Sequence, residues 1–161
     1  NREGKSVIVV DLNFRNPSLH NFFGTNNTKG LFHLVSGEKI VKTDIRTHIK
    51  NLDVISCGSF PVDPGRLINS PQLKKIIYQL KQKFDVVILD TPSIALTNDA
   101  IVIGTLADRV VFVIESGKIP FPVIARVQQQ MKNAGINAMG VVFNKFKIYS
   151  QSNGFYFLGI T

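Results

Sequence analysis

Residues 84–93 read FDVVILDTPS, and the fold turns on how that stretch is taken. Val86 to Leu89 are four successive aliphatic residues with no polar residue alternating between them. Such a run suits a strand buried on both faces of a parallel sheet. Asp90 then stands at the carboxyl tip of the strand, which is the end where ligands bind in open parallel sheets.

The same layout occurs once more, at the start of the chain. Val7 to Val10 lead into Asp11, followed by Leu12-Asn13-Phe14-Arg15-Asn16-Pro17. Expected strands are thus Val7 to Val10, Leu52 to Ser56, Asp85 to Leu89, Arg109 to Glu115 and Ala138 to Phe143. Helical signals separate them. Ser70 and Pro71 make a helix start, and Leu73, Ile76, Ile77, Leu80 and Phe84 form one apolar stripe, with Lys74, Lys75, Lys81 and Lys83 mostly off it. A second helix is expected from about Phe121 to Ala134, with Val123, Ile124, Val127 and Met131 inward and Gly135 just past its end. Asn98 to Leu106 is a shorter third. Strands alternating with helices predict an α/β, doubly wound, mostly parallel sheet with helices on both faces.

The 161 residues suffice for one domain, expected over 1–148, with a tail from 149 to 161. A single cysteine, Cys57, forms no internal disulfide, and a reducing cytoplasm is the default compartment. No apolar run nears the roughly 18 residues that cross a bilayer, and the start has no signal-peptide layout. The net charge is +8. No acidic residue follows Glu115, while Lys118, Arg126, Lys132, Lys145 and Lys147 do. Such a surface suits phosphates, anionic lipid or an acidic partner, or is simply a solvated basic face.

Gly4-Lys5-Ser6 has the ending of a phosphate-binding loop, but the context fails. That loop needs GxxxxGKS/T after a strand and at the start of a helix, so that glycine N–H groups and the helix end face the phosphates. Here the first glycine would fall before residue 1, and VIVVD follows, which favours strand over helix. A turn leading into a strand is expected instead. Asp11 and Asp90 carry more chemistry. A strand-tip carboxylate holds Mg²⁺, directly or through water, beside a triphosphate, or else caps a loop.

In series, VIVVDLNFRNPSLHNFFG, GLFHLVSGE, NLDVISCGSFPVDPGRLINSP, FDVVILDTPS, NDAIVIGTLADRVVFVIESGK and GINAMGVVFNK resemble the bacterial tyrosine kinases of capsule and exopolysaccharide synthesis. These belong to the deviant-Walker ATPases, with the partitioning and septum-site ATPases. The resemblance spans about residues 4 to 145. It implies a P-loop-type fold, an ATP–Mg²⁺ site, and transfer of the γ-phosphate to tyrosines in the tail of a neighbouring subunit of a ring-like oligomer. It also implies docking to a membrane-embedded regulator of polysaccharide chain length, at the cytoplasmic face of the bacterial membrane. By position, Asp11 matches the Walker A′ aspartate, which binds Mg²⁺ and positions or activates the acceptor hydroxyl. Asp90 matches the Walker B aspartate, which holds Mg²⁺. Asn144 falls where the wider group contacts adenine, or is a turn residue.

Three departures from the family pattern bear on activity. Gly4-Lys5-Ser6 aligns with the turn before the Walker A′ strand, so the P-loop with its strand and helix is missing. Asn13 stands where the family has a second acidic residue, which removes a charge and a possible base. The tail offers only Tyr149 and Tyr156 as phosphoacceptors, with Phe155 and Phe157 around the latter, and reads better as a hydrophobic tail. The absent strand would lie between the strands at Asp85 to Leu89 and Arg109 to Glu115. Either those two pair directly, or the chain is a fragment, or another chain fills the place.

Other residues carry open alternatives. Arg15 is placed to meet phosphate, a neighbouring subunit or a nearby acid. Asp99 either reaches the nucleotide or caps the helix that follows. Pro61, Pro64 and Gly65 are taken as a loop before a helix. His20, His33 and His48 lack metal-ligand spacing, and no Ser/His/Asp triad or nucleic-acid motif is present. The expected function is a tyrosine autokinase domain, impaired in this chain as it stands. The alternatives are a non-catalytic regulatory or scaffold relative and a partitioning-type ATPase.

Overall fold

A computed structural model describes residues 4–38, 47–58, 63–136 and 138–146. The elements run β1 (Val7–Asp11), α1 (Leu19–Phe23), α2 (Leu31–Val35), β2 (Leu52–Ile55), α3 (Pro64–Ile68), α4 (Pro71–Lys81), β3 (Val86–Asp90), α5 (Asp99–Gly104), β4 (Val110–Glu115), α6 (Phe121–Asn133) and β5 (Ala138–Asn144). All five expected strands form, with ends shifted by a residue. The fold is α/β with parallel pairing throughout.

The chain divides into two compact units, Asn1–Leu106 and Ala107–Thr161. In the first, the strand order is β2-β1-β3. Ile8 and Val10 of β1 are fully buried and form one core with Leu12, Phe14, Leu31, Ile55, Leu73, Ile77 and Ile103, against which Val87 and Leu89 pack. Each such side chain contributes about 1.5–3 kcal/mol by leaving water. At the amino ends of β1 and β3, Ser6 and Asp85 clamp the strands. The Ser6 N–H and hydroxyl both donate to Asp85 Oδ2 at 2.7 Å, which holds that carboxyl below its ordinary pKa.

The helix starts follow their chemistry. Ser70 Oγ accepts the Leu73 N–H at 3.2 Å and Pro71 occupies the first turn of α4, which buries Leu73 and Ile77. The short helices α1 and α2 were not expected from the sequence. Neither was α3. Pro64 and Gly65 are its first residues rather than a loop, and Asp63 caps it by accepting the Arg66 N–H at 3.1 Å. Pro61 and the tail from 149 to 161, including Tyr149 and Tyr156, lie outside the described residues.

In the second unit β4 pairs with β5, with a register shift at Val110/Val111, and α6 buries Val127 and Met131. Gly135, at φ 68°, ends α6, and the Ile136 N–H returns to the Met131 carbonyl at 3.0 Å. Of the expected basic excess, Lys118 and Lys145 both reach Glu115 Oε1, at 3.1 and 2.9 Å.

Direct pairing of the strands at 85–89 and 109–115 is not what forms among the described residues. β3 bonds only to β1, and β4 only to β5. Val86 and Ile88 of β3 and Val111 and Val113 of β4 remain well exposed. Strands this apolar are built for burial on both faces.

Candidate active site at the strand tips

Asp11 and Asp90 are register partners at the carboxyl ends of adjacent parallel strands. The Leu12 N–H donates to the Asp90 carbonyl at 2.9 Å, which extends the ladder one step beyond the strands. Asp11 is fully buried. Its Oδ1 accepts the Asn13 N–H at 3.0 Å and its Oδ2 accepts the Leu19 N–H at 3.3 Å. The carboxylate therefore organises the loop from β1 to α1. Asp90 is half-buried, and burial, then the charge of Asp11, raise its pKa above the ordinary carboxylate range. Two carboxylates brought together in this way disfavour each other's charge, which a shared proton or a bound cation relieves.

The loop after β1 is anchored from below. Leu12 and Phe14 point into the core, leaving Asn13 and Arg15 outward. The Asn13 side chain is already engaged, because its Oδ1 accepts the Asn16 N–H at 3.2 Å. Cys57, considered from the sequence only for its redox meaning, lies beneath the site. Its Sγ is 3.3 Å from the Asp11 carbonyl oxygen, and burial pushes the thiol pKa up, so it stays a protonated donor.

Arg15 Nε donates to Asp99 Oδ2 at 2.7 Å. Among the readings offered for Arg15, the geometry supports pairing with an acid. Asp99 is not the cap of α5. It is the first residue of that helix, whose N-cap is Asn98, and its own N–H donates to Thr97 Oγ1 at 3.1 Å. Sequence reasoning treated Arg15 and Asp99 separately. They are 84 positions apart, and only the alignment of β1 with β3 brings them together. Asn144 ends β5 in the second unit, where its carbonyl accepts the Ser116 N–H at 2.9 Å and its Oδ1 accepts the Lys145 N–H at 2.9 Å.

Among the described residues no three His, Cys, Asp or Glu side chains gather as a metal cluster, and no helix is long and apolar enough to cross a membrane. Two carboxylates match the donor chemistry of Mg²⁺, which takes one or two of them and fills its remaining positions with water and phosphate oxygens.

Parallel strands alternating with helices, with aspartates at two adjacent strand tips, place the chain in the class of α/β domains of P-loop NTPase-like fold. The chain belongs to the ATPase MipZ family, which it matches over residues 1–139. Within that class its relatives are bacterial tyrosine kinases. It is 31% identical over 157 residues to the tyrosine-protein kinase YwqD of Bacillus subtilis, covering 96% of this chain and 66% of YwqD. It is 30% identical over 141 residues to the tyrosine-protein kinase ptk of Acinetobacter johnsonii, covering 87% of this chain and 19% of ptk. The chain therefore spans less than two thirds of either relative. The crystal structure of the chimerical protein CapA2B2 superposes with a TM-score of 0.84 at 27% identity, covering 90% of this chain and 65% of that one.

Proposed function

We propose that the chain is the greater part of an ATP-dependent protein-tyrosine kinase domain of capsule or exopolysaccharide synthesis. The observation that carries this reading is the register of Asp11 with Asp90 at neighbouring strand tips, one carboxylate fully buried and the other with a raised pKa. Mg²⁺ bound there would neutralise charge on the phosphates of ATP. Asp90 would hold the cation, and Asp11, fixed by the Asn13 and Leu19 N–H groups, would share it and position the acceptor hydroxyl.

The 161 residues contain no GxxxxGKS/T. In the working enzyme the phosphate cradle comes from polypeptide outside them, on a strand that takes the unpaired edge of β3. The position of β3 at the edge of its sheet among the described residues supports that placement. The nucleotide is ATP, with its phosphates at the tips of β1 and β3. Tyr149 and Tyr156 are the acceptors. The partners are further copies of the chain and a membrane-embedded regulator of polysaccharide chain length, met at the cytoplasmic face.

One observation favours a second reading, a non-catalytic relative. Asn13 supplies no negative charge at a position where the kinases carry one, and its amide oxygen is committed to the Asn16 N–H. Incubating the full-length protein with Mg²⁺–ATP and mapping phosphotyrosine by mass spectrometry separates the two. The kinase reading predicts phosphate on Tyr149 or Tyr156, lost in D11N and D90N. An unmodified protein that still binds ATP would support the non-catalytic relative.

A further inference from the structure

The segment after β1 is held from two sides. Leu12 and Phe14, both essentially inaccessible to solvent, fix it from the core. From above it is held by Arg15, whose Nε bonds Asp99 Oδ2 at 2.7 Å. The buried member of that pair is the carboxylate, since the Asp99 side chain is 11% exposed against 52% for Arg15. Asp99 is itself immobilised. It opens α5, which buries Ile103 in the core, and its N–H is bonded to Thr97. The guanidinium also feels the charge of Asp63, the cap of α3. Arg15 thus ties the loop of β1 to the entry of α5 with a charge-assisted bond, and between its two anchorages the loop carries Asn13 and the bonds that orient Asp11.

We propose that Arg15 is a positioning residue. Its bond to Asp99 holds the β1 loop in register with Asp90, so that Asp11 and Asn13 keep their places during phosphate transfer. The proposal rests on the kinase reading above. Exposed ion pairs contribute little to stability, so the expected effect falls on rate. In catalysis a displacement of about 1 Å costs up to roughly a hundredfold.

The test uses the full-length protein with R15Q, D99N, R15K, the single reversals R15D and D99R and the exchange R15D/D99R, and reads kcat and KM for ATP per folded molecule. Expected are a fall in kcat of about tenfold in R15Q and D99N with KM unchanged, near-parental kcat in R15K, and recovery in R15D/D99R beyond either single charge reversal. NMR-detected hydrogen exchange at the Asn13 and Asn16 amides speeds up in R15Q while the β1 amides stay protected. Parental kcat in R15Q and D99N overturns the proposal and leaves the kinase reading intact. So does a KM rise without loss of kcat. A parental protein that transfers no phosphate overturns the kinase reading itself, and the positioning role with it.

Discussion

At the scale of single residues, Asp90 has the least favourable environment at the site. Its raised pKa means the folded state binds its proton more tightly than the unfolded chain does. The stability tied to that proton is complete in acid and is lost as pH rises through the folded-state pKa. D90N should therefore raise Tm at neutral pH, with the gain shrinking as pH falls into the ordinary carboxylate range. Mg²⁺ should raise Tm of the parent more than that of D90N. A pH-independent difference in thermal melts would count against the account. Asn13 yields a gain-of-function prediction. Aspartate keeps an acceptor for the Asn16 N–H and restores the missing charge, so N13D should tighten Mg²⁺ binding and raise phosphate transfer by about tenfold, measured by calorimetry and phosphotyrosine yield. The two aspartates were legible in the sequence because each ends an apolar run. The Arg15–Asp99 bond was not, because nothing local links residues so far apart.

Among elements, the close approach of the turn before α2 to the turn after β2 sets the strictest steric condition. A Cβ on Gly30 would lie 2.2 Å from the Ser56 carbonyl oxygen and 2.5 Å from the Gly58 nitrogen, both backbone atoms unable to yield. The backbone of Gly30 is extended, a conformation any residue adopts, so the requirement is for space. G30A should therefore cost several kcal/mol, on the order of a badly overpacked core. F14A should cost about 3–5 kcal/mol through its cavity. Urea melts of both check this, and losses below about 1 kcal/mol would contradict the packing described. Helices α4 and α6 were legible because eleven and thirteen residues give room for a stripe, a cap and a terminating residue. The helices α1, α2 and α3 have five residues each, too few for periodicity to show, so they escaped notice. In α3 the Pro64-Gly65 pair also mimicked a loop, although Pro in the first helical turn is favourable.

For the whole molecule, the order of strands and helices was readable from alternation alone, and the parallel pairing from the unbroken Val/Ile runs. What the sequence left open was how the strands at 85–89 and 109–115 are flanked. Among the described residues both are edges of separate sheets, which leaves the outer edge of β3 open to the further strand proposed above. The central claim is that Asp11 and Asp90 jointly hold Mg²⁺ for ATP, and calorimetric titration tests it most directly. ATP is titrated, with and without Mg²⁺, into the full-length protein and its D11N and D90N variants. The account predicts Mg²⁺-dependent binding in the parent, weakened at least about tenfold in each variant, or roughly 1.4 kcal/mol. Equal affinity in all three proteins, or affinity indifferent to Mg²⁺, would contradict it.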